Sequence, residues 1–325
     1  MSNTKLNKSA DNIENIDPSL FDFASYDERM AERTGYSNYS YWQSTFQVFL
    51  KNKVAATLLI LITVLVAYTV LQQYLPNQKS PTKIYNDVAT GIQLRNLAPS
   101  KEFWFGTNSI GQDLWARIWG GTRTSLQIGF LVGIWQGIIG ITVGCIWGYV
   151  RKLDGIITEI YNVLDNIPNT IIMVLLAYIL RPSIFTLVVA MCFTNWLSMA
   201  RFVRNQIIII RDREYNLASR CLGTPISRII TKNLLPYLVS VIMLQLALAI
   251  PMAIGAEVFL TYIGLGLPLN TPSLGNLINE GRIIMMVPAL RYQLIFPAVL
   301  LSVITISFYV IGNTFADASD PRNHV

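Results

Sequence analysis

The chain has 325 residues, of which 52% are hydrophobic and only 14% are charged. Soluble domains carry about 25% charged residues, so this composition excludes an ordinary soluble protein and indicates an integral membrane protein. We attribute the formal net charge of +6 to the loops that set membrane topology, and it does not indicate binding to nucleic acid.

Residues 1–50 are polar and rich in acidic side chains, and they lack an early apolar segment. We therefore expect a cytosolic N-terminal tail and no cleaved signal peptide. The aromatic stretch 39–53 is compatible with a helix that lies in the membrane interface. The first apolar run follows, so the segment 51–76 is expected to form the first transmembrane helix.

Six long runs are uncharged or nearly so, and each is near or above the roughly 20 residues needed to cross about 30 Å of hydrocarbon. Lipid offers no hydrogen bonds to the backbone, so these runs predict helices. Pro168 is expected to bend the third span. The sequence therefore predicts an all-α integral membrane protein with about six transmembrane helices. The runs are 54–72, 124–149, 160–180, 182–200, 234–256 and 292–316.

The orientation follows from Lys and Arg in the loops. The loop 201–233 carries seven of them, and the turn after the second span carries Arg151 and Lys152. Lys51 and Lys53 flank the first span. With six spans these regions share one side, which we assign to the cytoplasm.

This assignment places both termini in the cytosol of a multi-pass protein. The segment 77–121 becomes an extracellular connection, although it carries several basic residues against the rule. A core of five spans is expected at 122–317, and 318–325 is a second cytosolic tail.

The second span carries glycines at steps of three or four, which keep them on one stripe of a helix. Glycine weakens a helix, so such a stripe needs a reason. Close packing of a neighbouring helix is one reason, and lining a substrate path is the other. The glycines at the centre of the stripe are Gly133, Gly137, Gly140 and Gly144.

The loop 211–236 lies between two strongly apolar spans and has the signals of a helix–turn–helix. Glu214 is placed where an acid is favoured in the first turn of a helix. Gly223 suits the position just after that helix, where a left-handed backbone is common. Thr224 and Pro225 suit the start of a second helix. The loop is either a surface for a soluble partner or an ordinary interfacial loop with good caps.

Several residues of this loop follow a known pattern, namely Glu214, Ala218, Ser219, Gly223, Ile230, Leu235 and Pro236. They resemble the EAA motif of binding-protein-dependent ABC importer permeases, with Ser219 where the short pattern has alanine. The peptide-importing branch has a fuller pattern of the form E-Y-x-x-A-A-R-x-L-G-x-x-x-x-R-I-I. That pattern is met at Glu214, Tyr215, Ala218, Arg220, Leu222, Gly223, Arg228, Ile229 and Ile230.

Three further stretches resemble the same branch, in the same order. Residues 105–126 are similar to L-G-T-D-x-x-G-R-D…R…G-x-R-x-S-L, with Asn108 and Gln112 in place of the usual Asp and Arg. Residues 262–275 are similar to F-L-G-L-G…T-P-S-W-G, and 312–322 to G-D-x-L-R-D-x-x-D-P-R. The chain thus looks like the C-type permease subunit of an oligopeptide or dipeptide ABC importer. Nickel permeases share this pattern and stay an alternative.

The resemblance implies a permease that forms half of a translocation path in a bacterial cell membrane. Its partners would be a second, B-type permease subunit, two ATP-binding subunits and an extracellular peptide-binding protein. ATP and Mg would bind to the partner subunits. No cofactor is expected on this chain, which has no G-x-x-x-x-G-K-[ST] loop and is not expected to be an enzyme.

The resemblance also makes 211–236 the coupling loop that docks on an ATPase. We expect Glu214 and Arg228 to make polar contacts or to brace the loop. Ala218 and Gly223 would permit close approach, and Ile229 would dock through its apolar side chain. Ser219 and Pro236 complete this set.

Glu257 ends an uncharged run and is a functional candidate, because acids next to membrane spans are costly. It either faces the translocation path, where it would meet polar groups of a peptide, or lies at the outer interface. Asp165, near the cytosolic end of the third span, is expected to have an interfacial or bracing role.

Three other classes of membrane protein fit the sequence less well. A channel would need a filter-like repeat or a charged ring, and neither stands out. An intramembrane enzyme would need paired Asp, Ser/His or metal-ligand sets within the spans. The single histidine, His324, excludes a multi-histidine metal site or a Ser-His pair in the membrane. A non-transporting membrane scaffold or sensor subunit stays open on composition, but the ordered motifs disfavour it.

Overall fold

The structure is a computed structural model that describes residues 41–181 and 183–319. The predictions for 1–40 and for 320–325 lie outside the described residues. Within these ranges the regular structure is helical, with three isolated β-bridges. The α-helices are α1 (Tyr41–Lys51), α2 (Lys53–Leu71), α3 (Leu114–Tyr149), α4 (Arg151–Asp165), α5 (Asn169–Ile179), α6 (Ile184–Arg211), α7 (Glu214–Cys221), α8 (Ile226–Ile229), α9 (Leu235–Tyr262), α10 (Leu274–Ile284) and α11 (Tyr292–Ala318).

Five helical stretches of the described chain are long and apolar enough to cross a membrane. They are Lys53–Tyr74, Leu114–Tyr149, Ile184–Arg211, Ile226–Tyr262 and Tyr292–Ala318. The third predicted span is a bent pair, α4 and α5, whose axes differ by 72°. Pro168 lies at the bend, as predicted, because it has no N–H to donate and disfavours helical backbone in the residue before it.

Helix α3 begins at Leu114, well before the apolar run that predicts the second span. Two arginines interrupt the hydropathy there, but both have partners. Arg117 pairs with Glu280 at 2.5 Å. Arg123 donates to the carbonyl oxygen of Thr69 at 2.8 Å. Because these charges are satisfied, the helix continues through them into the segment predicted to be a connection.

The first half of the glycine stripe on α3 packs against α9. A Cβ atom at Gly137 would lie 2.7 Å from Cδ2 of Leu246, closer than real contacts allow. At Gly133 the fit is looser, and a Cβ would lie 3.6 Å from Cγ1 of Ile250. Here the small residues let two helices approach closely.

The second half of the stripe packs against α6 instead. A Cβ atom at Gly140 would lie 2.5 Å from Cβ of Met199. One at Gly144 would lie 2.6 Å from the backbone oxygen of Ala200. A single stripe therefore lets two different helices pack closely against α3. The buried apolar clusters of the core contain side chains from α3, α6 and α9.

We expect Gly144→Ala to destabilise the protein by about 1–3 kcal/mol, because the new methyl group overlaps the backbone of α6 and one helix must move. Gly255→Ala is the matched control, since a Cβ on Gly255 in α9 meets nothing within 4 Å. Thermal unfolding of the two purified variants checks this. Equal midpoints would remove the packing role of this glycine.

Candidate functional site

The loop between α6 and α9 folds as a helix–turn–helix with a complete C-cap. Helix α7 carries Glu214 in its first turn, as predicted. Gly223 follows the helix with φ of +75°. Its N–H donates to Arg220 O at 3.0 Å, and the N–H of Thr224 donates to Ser219 O at 3.1 Å. These two bonds define a Schellman motif, so glycine stands where the backbone requires it.

The second helix of the loop begins one residue later than predicted. Pro225 has extended backbone angles and is the N-cap of α8, which starts at Ile226. A π-helical turn, Ile230–Leu234, joins α8 to α9. Pro236 lies in the first turn of α9, directly after this π-helical turn.

A cluster of charges around Asp212 fastens the loop to the start of α4 and the end of α6. The Asp212 carboxylate lies 3.0 Å from Arg151, 3.2 Å from Arg211 and 3.7 Å from Arg220. Slight burial acts to raise the pKa of Asp212, but hydrogen bonds from Arg211 and Arg151 outweigh it, so the pKa lies below its ordinary value. The carboxylate is therefore ionised at neutral pH and holds cations from three helices, α4, α6 and α7.

Asn216 joins the two halves of the loop from inside. Its side chain is fully buried and donates to Ile210 O at 2.8 Å. Asn233 donates to the Asn216 side-chain oxygen at 3.2 Å and to Ser219 Oγ at 3.3 Å. Sequence reasoning missed both asparagines, since Asn is common in surface loops and its type carries no signal of burial. Ser219, in contrast, was singled out by the motif.

Ile229 anchors the loop and is not available to a partner, which corrects the expected docking role of its side chain. It is fully buried and packs in a cluster with Val203 and Ile207 of α6. The exposed apolar side chains are others. Leu222 is 86% exposed and Ile226 is 50% exposed.

Tyr215 and Leu217 are also exposed on α7. We call Tyr215, Leu217, Leu222 and Ile226 the apolar patch of the loop. Glu214, Ala218, Gly223 and Arg228 are exposed as well. The predicted coupling residues thus divide into an exposed set and the buried Ile229, with the half-buried Ser219 bonded between the two halves of the loop. Their coupling role stays a prediction.

A second polar network lies at the start of α3. The Arg117 guanidinium is fully buried and pairs with Glu280 of α10 at 2.5 Å. It also donates to Gln112, whose side-chain oxygen accepts from Asn108 at 3.1 Å. Asn108 donates to Glu280 at 3.3 Å too. Burial raises the pKa of Glu280, and Arg117 and Asn108 act against this rise.

Asn108 and Gln112 are the departures from the family pattern named above for residues 105–126, and they contact each other. A neutral amide pair therefore stands where the pattern has an acid and a base. The net charge at this contact is the same in both cases, because Asn108 replaces an acid and Gln112 replaces a base. The exchange leaves Arg117 and Glu280 as the charged pair of the network.

Glu257 binds three hydroxyl groups in the core. Its carboxylate accepts from Ser273 at 2.7 Å, Ser125 at 3.1 Å and Thr261 at 3.2 Å. The residue is fully buried. Ser273 is the N-cap of α10, so Glu257 links α9 to α3 and to the positive end of a helix dipole. This geometry supports a bracing role, and the path-lining role stays a prediction.

We expect Glu257→Ala to lower stability by about 1–3 kcal/mol, because it leaves buried hydroxyls without their acceptor. Glu257→Gln keeps the shape and one acceptor oxygen, so its loss should be smaller. Thermal unfolding and uptake are measured on both variants. Lost uptake with an unchanged unfolding midpoint would contradict the bracing role and favour the path.

No group of three or more His, Cys, Asp or Glu side chains that could hold a metal occurs in 41–181 or 183–319. The arrangement offers no catalytic constellation at the loop. What the fold and the loop define is a multi-pass helical membrane protein with a rigidly held polar loop between two spans, as in a transporter subunit.

Residues 140–325, more than half of the chain, match the family described as binding-protein-dependent transport system inner membrane component. The chain belongs to this family, whose members are membrane components of ABC transporters and are not themselves catalytic.

Three curated relatives match over nearly their whole length. The oligopeptide transport system permease protein AmiD of Streptococcus pneumoniae is 38% identical, with 95% of this chain and 99% of the relative covered. The permease OppC of an oligopeptide transport system of Bacillus subtilis is 32% identical, with 95% and 99% covered. The permease DppC of a dipeptide transport system of the same organism is 35% identical, with 90% of each covered.

Proposed function

We propose that this protein is a transmembrane permease subunit of an ATP-driven peptide importer. It forms half of the path for oligopeptides or dipeptides, the cargoes named for its relatives. Peptide rather than nickel is favoured, because the three relatives described above are permeases of oligopeptide or dipeptide transport systems. Identity of 38% over 95% of the chain is the observation that carries this proposal.

The α6–α9 loop is the coupling element of this permease. It is held to the membrane helices by the Asp212 cluster, by Asn216 and by buried Ile229, and it presents the apolar patch on its free side. A rigid connection with an exposed apolar surface can transmit a conformational change of the partner, because force applied to the patch reaches α6 and α9 directly. ATP binding on the partner would then favour one of two packings of the spans.

The complex contains a second permease subunit, two ATP-binding subunits that hold ATP and Mg, and an extracellular peptide-binding protein. This chain binds no cofactor of its own. Both termini and the coupling loop face the cytosol, and the connection 77–121 faces outward. The basic residues of the loops support this orientation.

Cysteine crosslinking tests the proposal. The three native cysteines are replaced, and Leu222→Cys is introduced on the apolar patch. We expect crosslinks to an ATP-binding subunit in membranes that hold the whole complex. Val88→Cys is the control, since Val88 is fully exposed on the connection and should capture no ATPase.

Two results would count against this function. One is labelling of Leu222→Cys from outside intact cells by a reagent that does not cross membranes. The other is purification of the chain as a stable oligomer without any ATPase, which would favour a scaffold or sensor subunit.

A further inference from the structure

The bend in the third span leaves a helix start within that span. Helix α4 ends at Asp165 and α5 begins at Asn169, with 72° between their axes. Pro168 is the N-cap of α5 and offers its first amides no side-chain hydrogen bond. The first N–H groups of a helix have no acceptor within the helix, and its N-terminus favours oxygen acceptors and negative charge.

Helix α5 alone is too short to cross the membrane. Helix α5 has 11 residues, which span about 16 Å, or roughly half of the hydrocarbon thickness. Its first residue, Asn169, donates to the side chain of Asn195 at 3.1 Å. Asn195 is near the middle of α6, a helix of 28 residues. Several transporters bind polar cargo groups at the N-termini of discontinuous helices.

A cavity of about 240 Å³ opens at this break. We call it the bend cavity. Its apolar wall comes from the end of α4, from Pro168 and from α6. Its polar lining consists of Asp165, Asn169, Thr194 and Ser198.

Thr194 is an independent sign that the bend cavity takes a ligand. The residue is only 4% exposed, and its Oγ1 has no hydrogen-bond partner. Other threonines in these spans donate to the carbonyl oxygen four residues before, as Thr142 does to Ile138 at 2.7 Å. A buried hydroxyl without a partner costs free energy, so an outside group that pairs with it gains free energy on binding.

The charges of the bend cavity are balanced. Asp165 pairs with Arg201 at 3.4 Å, and both side chains are about half exposed. Arg201 also donates to the hydroxyl of Tyr161 at 3.0 Å. The end of the cavity near α5 has only uncharged polar groups. It suits a single oxygen acceptor better than a cation.

We propose that the bend cavity is a cargo subsite that takes a carbonyl or carboxylate oxygen of a peptide backbone. The oxygen would accept from the amides of Asn169 and Thr170 and from the Thr194 hydroxyl, since the Ile171 N–H already donates to Pro168 O at 2.9 Å. The volume is below the roughly 300–1,000 Å³ of whole small-molecule sites, so it holds one residue's backbone rather than a complete peptide. The inference rests on the proposed function, because the ligand is part of the imported cargo.

Thr194→Val tests the subsite, since valine keeps the shape and removes only the hydroxyl. Thr63→Val is the matched control, because Thr63 lies mid-span in α2 and its hydroxyl bonds its own helix at Leu59. Uptake of a radiolabelled peptide is measured in proteoliposomes with the complete importer. We expect Thr194→Val to lower uptake about fivefold, Thr194→Ser to restore it, and Thr63→Val to leave it unchanged.

The same assay with a peptide amidated at its C-terminus distinguishes the two oxygen sources. A larger effect of Thr194→Val on the free acid points to the terminal carboxylate, and equal effects point to an internal carbonyl. Equal uptake by Thr194→Val and Thr63→Val would overturn the subsite while the importer still works. No peptide uptake by the unmodified protein would instead overturn the proposed function.

A second measurement covers the case in which Thr194→Val does not accumulate in membranes. Ser198→Cys is placed in the bend cavity of an otherwise cysteine-free chain, and its labelling by a small thiol reagent is followed. Saturating peptide should slow this labelling several-fold. An unchanged labelling rate would overturn the subsite.

Discussion

Gly223→Asp should lower ATP-driven peptide uptake roughly tenfold or more, the effect of losing about 1.4 kcal/mol of docking free energy. Gly223 lies beside the exposed Leu222, and a Cβ there meets nothing within 4 Å of this chain. The position is therefore open in the isolated subunit and close to the ATPase in the proposed complex. A carboxylate would fill that space and would need to lose its water on docking.

Gly223→Asn is the control for the backbone. Asparagine and aspartate both tolerate a positive φ better than other residues with a Cβ, so the two variants share the conformational cost. They differ in charge. The measurement is uptake in proteoliposomes together with the amount of subunit in the membrane. Normal uptake by Gly223→Asp would count heavily against the coupling role of the loop.

The second large effect is expected at the buried pair of Arg117 and Glu280. Arg117→Met should destabilise the protein by about 3–5 kcal/mol, because it leaves the Glu280 carboxylate without its cation. Glu280→Gln should act in the same direction, since it leaves a fully buried guanidinium without an opposite charge. The double variant should lose less than the sum of the two. Thermal unfolding of the three variants measures this coupling.

The exposed pair of Lys79 and Glu102 supplies the comparison. Their atoms are 3.9 Å apart, and the Glu102 side chain is 75% exposed. Glu102→Gln should therefore change stability by less than about 1 kcal/mol. If the buried and the exposed pair gave equal losses, or if the Arg117 and Glu280 losses were additive, the pair would not hold α10 to α3.

The network around Arg117 also shows why part of the site could not be predicted. Arg117 and Glu280 are 163 positions apart in the chain, and neither residue type signals its partner. Asn216 and Asn233 are closer in sequence, but their contact depends on how the π-helical turn packs beside α7. Ile229 was misjudged for the same reason. An isoleucine in a charged loop can face either a partner or the core, and only the packing of α6 decides between them.

The sequence by itself determined the membrane class, the approximate positions of the spans, the bend at Pro168 and the left-handed turn at Gly223. These features depend on local properties, namely the transfer of apolar side chains to lipid and the allowed angles of one residue's backbone. Only the tertiary structure decided that one glycine stripe holds two helices, that Glu257 binds three hydroxyls, and that Thr194 is left without a partner beside the bend. Those outcomes depend on which surfaces of distant helices pack together, and residue type alone does not predict this.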